Sequence, residues 1–234
     1  MDKIKGVSFF CTAYYDEANI SKVVTKAVNL LSELCEDYEI FVINDGSPDN
    51  TKSIIDALAQ KYDKVTAIHH ARNLGYDQVL RTGFKHAKKF DFVFFTDGDN
   101  QYDVGYFKDM VKYMADYDAI VTYRTKNANN LVRKIISWLF NRVLNVLFLE
   151  PFRDLSSSLR LVRRSALQDI QLHSTTMFLG VEIILKFHQA GLKVKQLPIE
   201  TEKRLYGRST SLLPKNFFGL INDMLKIWVK DFLL

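Results

Sequence analysis

The chain has 234 residues, a formal charge of +5, 47% hydrophobic residues and four prolines, which suits one sizeable packed domain, or at most two small ones, and excludes a disordered protein. The mild positive charge fits anionic ligands or an anionic membrane surface and gives no indication of nucleic acid. Cys11 and Cys35 lie in an apolar run and a helical run, which predicts buried thiols in a reducing compartment. With no signal peptide and no apolar run of about eighteen residues, we expect a cytoplasmic protein or one held at the cytosolic face of a membrane.

Strands and helices alternate through the first half of the chain. Apolar runs predict four strands, at 7–12, 39–44, 65–69 and 92–96. Helical segments follow the first three strands, and the third of these helices is predicted at 76–88. This alternation predicts a parallel, doubly wound sheet in which the carboxyl ends of the strands share one edge. The strand-end residues expected at that edge are Thr12, Asn44, His70 and Thr96.

Two carboxylates follow the fourth strand directly. Asp97 and Asp99 flank Gly98, at the end of the sheet where open α/β folds bind ligands. Paired carboxylate oxygens suit Mg²⁺ or Mn²⁺, and such an ion in turn suits a substrate that carries phosphate. The alternative for this pattern alone is an Asp-Gly turn capped by the second aspartate.

The second half of the chain is predicted to add a helix at 104–113, a strand at 119–123, a helix from 178 and an edge strand at 193–198 that Pro198 closes. We expect a domain over 1–211, which includes an amphipathic helix at 131–149, and a C-terminal amphipathic helix at 212–234. The helix at 131–149 has an apolar stripe through 135, 136, 139, 140, 143, 144, 147 and 148. Each helix can lie in a membrane interface or pack on the domain, and the C-terminal one can also join a partner.

Four motifs follow one another along the first half: Ala-Tyr-Tyr-Asp-Glu at 13–17, Asn-Asp-Gly-Ser-Pro at 44–48, Arg-Asn-Leu-Gly at 72–75 and Asp-Gly-Asp-Asn-Gln at 97–101. In their order and spacing the chain resembles the family 2 glycosyltransferases from about 7 to 211. More narrowly, it resembles the polyprenyl-phosphate sugar transferases of the dolichyl-phosphate mannose synthase type. The resemblance implies a single α/β domain of the GT-A fold, Rossmann-like and doubly wound, with a mostly parallel sheet and peripheral amphipathic helices.

The resemblance also implies a donor site for a UDP- or GDP-linked sugar. The residues that it assigns to the nucleotide sugar are Ala13, Tyr14, Glu17, Asp45, Arg72, Asp97 and Gly98. The residues that it assigns to Mg²⁺ or Mn²⁺ are Asp97, Asp99 and Gln101. Asp45 has the alternative role of a helix cap, and Arg72 that of a surface ion pair.

A lipid phosphate is the acceptor that the resemblance implies, and the residues it assigns to that phosphate are Arg124, Arg133, Ser137 and Arg208. Arg133 and Ser137 are four residues apart and share one helix face, and guanidinium groups suit phosphate. Arg204 is expected to act in catalysis beside the carboxylates, with a charged loop that binds nothing as the alternative. Asp154 and Arg160 belong to a further matching segment and have a structural ion pair as their alternative.

These residues predict a metal-dependent, inverting transfer of a sugar from a nucleotide to a polyprenyl phosphate. The acceptor phosphate is already anionic, so this reaction needs no general base. If the acceptor were a sugar hydroxyl, Glu182 would be the candidate base. The alternatives are a soluble family 2 enzyme that extends a capsule or lipopolysaccharide glycan, and a non-catalytic nucleotide-sugar-binding module. Peripheral membrane contact or a separate membrane subunit is expected for the lipid acceptor.

Overall fold

A seven-stranded sheet runs through the centre of the computed structural model, which describes residues 3–126, 131–149, 152–203 and 214–233. The strands are β1 (Ile4–Ala13), β2 (Cys35–Asn44), β3 (Val65–His69), β4 (Phe92–Asp97), β5 (Ala119–Lys126), β6 (Arg160–Arg163) and β7 (Val194–Glu200). Their order is β3-β2-β1-β4-β6-β5-β7, and β6 runs antiparallel to both of its neighbours while the other pairs are parallel. The predicted mostly parallel α/β sheet is confirmed.

Helices cover both faces of this sheet. They are α1 (Ile20–Leu34), α2 (Thr51–Lys61), α3 (Tyr76–His86), α4 (Phe107–Met110), α5 (Leu131–Phe148), α6 (Arg164–Gln168), α7 (Leu179–Gln189) and α8 (Pro214–Trp228). One core layer contains apolar side chains of α1, α2 and α4, and the other contains those of α3, α5, α7 and α8. Successive side chains of β1 enter the two layers alternately, as Phe9 and Phe10 do, because neighbouring residues of a strand point to opposite faces. This arrangement is the predicted doubly wound one.

The first half of the chain matches the sequence prediction closely. The strand predicted at 65–69 is β3, and the other three predicted strands are present with longer ends. Helix α3 begins at Tyr76 as predicted and ends two residues early, at His86. Cys11 and Cys35 are buried free thiols, as expected.

In the second half two predictions were wrong and two elements were missed. The helix expected at 104–113 consists of 3₁₀ turns at Val104–Tyr106 and Val111–Tyr113 around the single turn of α4. Strand β6 and helix α6 were not predicted, because β6 is only four residues long and has an arginine at each end. Pro198 does not end the last strand, which continues to Glu200. An edge strand tolerates a residue that lacks an N–H.

Helix α5 is apolar on two faces, so its sequence stripe did not define one buried side. Leu144 and Phe148 enter the core, whereas Ile135, Leu139 and Val143 from the predicted stripe are exposed. No helix in the described part of the chain is long and apolar enough to cross a membrane.

Helix α8 packs on the domain. Its side chains Met224 and Ile227 are buried in the same core layer as α5, and Trp228 donates its indole N–H to the carbonyl oxygen of Leu147 at 2.6 Å. Of the alternatives for this segment, packing on the domain accounts for its inner face. Its outer face carries exposed Phe218, which this packing does not use.

Two neighbouring substitutions test the packing of α8. Ile227 is 2% exposed and Leu225 is 47% exposed. We expect Ile227→Ala to lower the free energy of unfolding by about 2–4 kcal/mol, because it leaves a cavity in a packed core. The matched control Leu225→Ala should stay within roughly 0.5 kcal/mol. Urea unfolding followed by circular dichroism measures both, and equal effects of the two changes would contradict the packing.

Candidate functional site

The ends of the four parallel strands meet as predicted. The register pairs Thr12 with Asp97 and Ala13 with Asn44. Backbone hydrogen bonds continue past the strand ends, from Gly98 N to the Thr12 oxygen at 2.8 Å and from His70 N to the Asn44 oxygen at 2.9 Å. The polar segments after β1, β2, β3 and β4 therefore share one edge of the sheet.

Asp97 and Asp99 leave β4 through a tight turn. A Cβ atom on Gly98 would lie 2.4 Å from the carbonyl oxygen of Thr12, so only glycine fits there. Asn100 has a φ of 57°, and the Asp99 carboxylate accepts the N–H of Gln101 at 3.0 Å. The turn chemistry proposed as the alternative is thus present, and it leaves both carboxylates at the sheet edge.

The donor set fits a hard divalent cation in part. Within the described ranges, no group of three or more His, Cys, Asp or Glu side chains could hold a metal ion. The pair Asp97 and Asp99 offers oxygen ligands only, and Mg²⁺ typically takes one or two carboxylates and completes its shell with substrate phosphate and water. Gln101 is turned towards the segment after β7, where its side-chain amide donates to the Glu202 oxygen at 3.3 Å. The metal role of these three residues stays a prediction.

Two tyrosines, which sequence analysis did not single out, border the carboxylates. Burial, together with the charge of Asp97 and a hydrogen bond to it, raises the pKa of Tyr76 well above its ordinary value. Burial raises the pKa of Tyr102 to about 12, and the charge of Arg124 acts against this rise. Both phenols are therefore neutral at physiological pH. An aromatic residue one position beyond the Asp-Gly-Asp-Asn-Gln motif was the available signal for Tyr102.

Asp45 organises the loops around the predicted nucleotide site. Its buried carboxylate accepts the N–H groups of Leu74 and Gly75 at 2.9 and 3.0 Å and contacts Nδ1 of His70 at 2.8 Å. It does not cap α2, where Asn50 is the cap residue; it instead binds the backbone that enters α3. The Arg72 side chain is exposed beside this loop. The predicted contact of Asp45 with the base remains untested.

The loop that follows β1 is tied to the loop that follows β2. Tyr15 N donates to the Ser47 hydroxyl at 2.8 Å, and the Glu17 carboxylate accepts the N–H of Asn50 at 2.9 Å. The rings of Tyr14 and Tyr15 meet edge to face at 4.7 Å. The residues predicted to contact the nucleotide, from Ala13 to Glu17, are thereby placed next to the Asp45 segment.

Arg124 and Ser137, both predicted to meet the acceptor phosphate, are in contact. The Nη2 atom of Arg124 donates to the Ser137 hydroxyl at 3.2 Å, and the same guanidinium forms a two-point ion pair with Asp154. Arg133 lies in α5, but its side chain is outside what the structure describes, as are Arg204 and Arg208 altogether. Their predicted roles stay predictions.

Arg160 and Asp154 are not partners of each other, so the ion pair suggested for them was wrong. Arg160 is buried and donates to the carbonyl oxygens of Ser157, Leu155 and Gly180. These contacts bind the start of β6 to the start of α7. Arg160 therefore has a structural explanation, while Asp154 pairs with Arg124.

Glu182 is fully buried in the first turn of α7. Its two carboxylate oxygens accept the backbone N–H groups of His173 and Ser174 at 2.7 and 2.8 Å. Burial raises the pKa of Glu182, and these hydrogen bonds act against the rise. This geometry gives no support to the catalytic role suggested for Glu182, because the contacts of both oxygens are structural.

The model of one protein family, described as Glycosyl transferase family 2, matches residues 8–171. The chain belongs to this family. The matched range includes the Asp97–Asp99 turn and the pair formed by Arg124 and Asp154, and the predicted family is confirmed.

Two curated relatives match most of the chain. It is 29% identical over 161 residues to "Putative glycosyltransferase CsbB" of Bacillus subtilis (strain 168), which covers 68% of this chain and 49% of that protein. It is 26% identical over 181 residues to the undecaprenyl-phosphate 4-deoxy-4-formamido-L-arabinose transferase of Shewanella sediminis (strain HAW-EB3), covering 76% of this chain and 54% of that protein. The chain thus spans about half the length of these relatives.

A solved structure shares the fold. The glucosyl-3-phosphoglycerate synthase of Mycobacterium tuberculosis, crystallised with Mn²⁺, uridine diphosphate and phosphoglyceric acid, superposes with a TM-score of 0.75 at 18% identity. The superposition covers 96% of this chain and 78% of the other. At this identity the likeness shows the fold alone, and the predicted GT-A fold is confirmed.

The structural explanation of Glu182 is testable by Glu182→Gln. The amide turns one acceptor into a donor that faces a backbone N–H, so we expect the free energy of unfolding to fall by about 1–3 kcal/mol. Glycosyl transfer by the folded fraction should be retained. Thermal unfolding and activity at low temperature measure the two quantities separately. Full stability with abolished turnover and intact donor binding would instead make Glu182 a base and a sugar the acceptor.

Proposed function

We propose that the protein is a metal-dependent glycosyltransferase that moves a sugar from a nucleoside-diphosphate sugar to a polyprenyl phosphate. The observation that carries the proposal is the contact between Arg124 and Ser137, the two described residues predicted to meet the acceptor phosphate. The charges of Arg124, Asp97 and Asp99 all act on buried Tyr102, which supports a single site for the predicted acceptor group and the predicted diphosphate group. The family membership and a relative that is named for undecaprenyl phosphate add support.

The donor half of the reaction belongs to the edge formed by β1, β2 and β4. Asp97 and Asp99 would hold the divalent ion, which neutralises the charge that develops on the leaving nucleoside diphosphate. The loops at Ala13–Glu17 and Asp45 would hold the nucleotide, with Arg72 exposed beside them. Their mutual hydrogen bonds fix this part before the donor binds, so little ordering remains to be done during the reaction.

The acceptor half needs orientation rather than proton removal. A phosphate oxygen of the acceptor attacks the anomeric carbon, the new carbon–oxygen bond forms, and the bond to the nucleoside diphosphate breaks. Arg124 and Ser137 would orient the acceptor phosphate, and Arg133, Arg204 and Arg208 are further candidates. A single displacement of this kind inverts the anomeric centre. The buried, doubly hydrogen-bonded Glu182 is consistent with a reaction that uses no general base.

Transfer itself tests the proposal. Purified protein should move sugar from one of a panel of UDP- and GDP-sugars to a short-chain polyprenyl phosphate in Mn²⁺ or Mg²⁺, and a chelator should stop it. We expect Asp99→Asn to lower kcat/KM on the order of 100-fold, the scale for losing one group that stabilises developing charge. The control Asp103→Asn changes an exposed aspartate four residues further along the chain and should leave kcat/KM unchanged. Transfer to a free sugar but never to the lipid would refute the acceptor.

A lipid acceptor also requires that the site reach a membrane, and α5 offers a surface for this. Its outer face exposes apolar side chains on one side of the helix, namely Ile135, Trp138, Leu139, Val143 and Val146, and Leu149 directly after the helix is exposed as well. Exposed Arg142 lies on the same face, with its guanidinium carbon 6.0 Å from the Trp138 ring. Exposed apolar groups that include Trp, together with a basic residue, suit the interface of an anionic bilayer. The same helix carries Ser137 at the site, so we propose that α5 rests on the membrane.

Vesicle binding tests the role of α5. Trp138 is 63% exposed, and transferring such a side chain into the interface is worth about 1.5–3 kcal/mol. Trp138→Glu should therefore weaken co-sedimentation with vesicles of mixed anionic and neutral lipid roughly 10–100-fold. Thr66→Glu adds the same charge at an exposed position on β3 and should have little effect. Unchanged vesicle binding by Trp138→Glu, or a dimer in solution that this change dissolves, would exclude the membrane role.

A further inference from the structure

The guanidinium of Arg124 is held in one orientation by its neighbours. Its Nε donates to Oδ2 of Asp154 at 2.6 Å, and its Nη2 donates to Oδ1 of Asp154 at 3.0 Å. The same Nη2 contacts the hydroxyls of Ser137 and Ser156 at 3.2 and 2.6 Å. The side chains of Arg124 and Asp154 are 12% and 10% exposed, so the pair is largely shielded from water. A two-point pair of this kind fixes the plane of the guanidinium as well as its position.

The carboxylate of Asp154 makes its described hydrogen bonds to Arg124 and Ser156. Besides the side chain of Arg124, it accepts the N–H of Ser156 at 3.1 Å and the hydroxyl of Ser156 at 2.7 Å. Burial opposes ionisation of Asp154, but the hydrogen bonds and charge of Arg124 outweigh it and hold the pKa of Asp154 below its ordinary value. Asp154 is therefore an ionised hydrogen-bond acceptor and is unsuited to take up a proton in the reaction.

One end of Arg124 remains for a ligand. Among the described residues, its Nη1 amino group has no hydrogen-bond partner, since Asp154 takes the opposite edge formed by Nε and Nη2. Ser137 accepts from Nη2 with its hydroxyl oxygen, which leaves the hydroxyl hydrogen to donate. The guanidinium fork is rigid, so the contacts on one edge determine where the other edge points.

We infer that Asp154 is a positioning residue, which holds Arg124 so that its Nη1 edge and the Ser137 hydroxyl meet the acceptor phosphate. This inference rests on the proposed function, because it takes the acceptor to carry a phosphate. Asp154 would not touch the acceptor. Its carboxylate would act only through the guanidinium of Arg124. The negative charge of Asp154 would also cancel one positive charge, so that an anionic acceptor binds and the product can still be released.

Loss of Asp154 should then weaken the acceptor side alone. Asp154→Asn keeps the size of the side chain and removes the charge that orients Arg124. We expect the Kd and KM for a short-chain polyprenyl phosphate to rise roughly 10–100-fold, the usual effect of removing a group that orients a binding residue. The affinity for uridine or guanosine diphosphate with Mn²⁺ should stay within about twofold, because Asp154 has no described contact with the donor loops.

A double-mutant cycle separates positioning from a direct or merely structural role. The Kd of the polyprenyl phosphate, measured calorimetrically without donor, is compared for the wild type, Asp154→Asn, Arg124→Ala and the double variant. If Asp154 acts through Arg124, its substitution should change the Kd less than twofold once Arg124 is absent. Equal effects of Asp154→Asn in both backgrounds would overturn the inference. Because this measurement needs no turnover, a defect in donor binding cannot mimic the result.

Control measurements separate a loss of positioning from misfolding and from failure of the proposed function. Asp118→Asn removes another aspartate that pairs with an arginine on the sheet, at 3.2 Å from Arg163, and should leave the acceptor Kd unchanged. If Asp154→Asn proves unstable, Ser156→Ala is the substitute test, because it removes one hydroxyl that contacts both Arg124 and Asp154. This change should raise the Kd of the polyprenyl phosphate severalfold, and an unchanged Kd would count against the inference. Absence of polyprenyl phosphate binding by the wild type would refute the proposed function. Wild-type binding with an additive cycle would refute the positioning role alone.

Discussion

The close approach of β1 and β4 is the constraint on which the site depends. Gly98 donates its N–H to Thr12 at 2.8 Å, and no side chain fits between the two backbones at that point. The sheet therefore continues, hydrogen-bonded, to the residue between the two carboxylates. Asp97 ends β4 and Asp99 lies in the turn that this hydrogen bond anchors, so the sheet positions both carboxylates, as a site that must place charge accurately requires.

The charged groups of the site act on two neutral phenols, Tyr76 and Tyr102. Arg124 and Asp154 neutralise each other, while Asp97 receives the hydroxyls of Thr12 and Tyr76. Tyr102 is buried between these groups and stays un-ionised. In such poorly solvated surroundings, charges interact more strongly than in water, so a bound phosphate or cation would interact with every charged side chain of the site. The charges of Asp97, Asp99, Arg124 and Asp154 all act on the same buried phenol.

The sequence predicted the first half of the molecule far better than the second half. Buried parallel strands are continuous apolar runs with polar ends, so β1 to β4 and the convergence of Asp45 with Asp97 could be inferred from pattern alone. The ion pair between Arg124 and Asp154 could not be inferred from the sequence, because the two residues are 30 positions apart and each had another plausible partner. The burial of Glu182 was likewise invisible, since its partners are backbone N–H groups. Helix α5 misled because periodicity locates apolar residues but does not say which of two apolar faces is covered.

The reversed direction of β6 has a consequence for how this fold can change. Arg160 pairs with Val121 and with Phe95, so the chain leaves β5 and returns into β6 at the same edge of the sheet. The segment between β5 and β6 contains Ser137 on α5 and Asp154 before β6. It begins and ends at the edge of the sheet that carries Asp97 and Asp99. The parallel strands β1 to β4 pair with one another without it. Its inner side chains, such as Leu144 and Phe148, belong to the core, so the outer surface of the segment is the part that can change without disturbing the sheet.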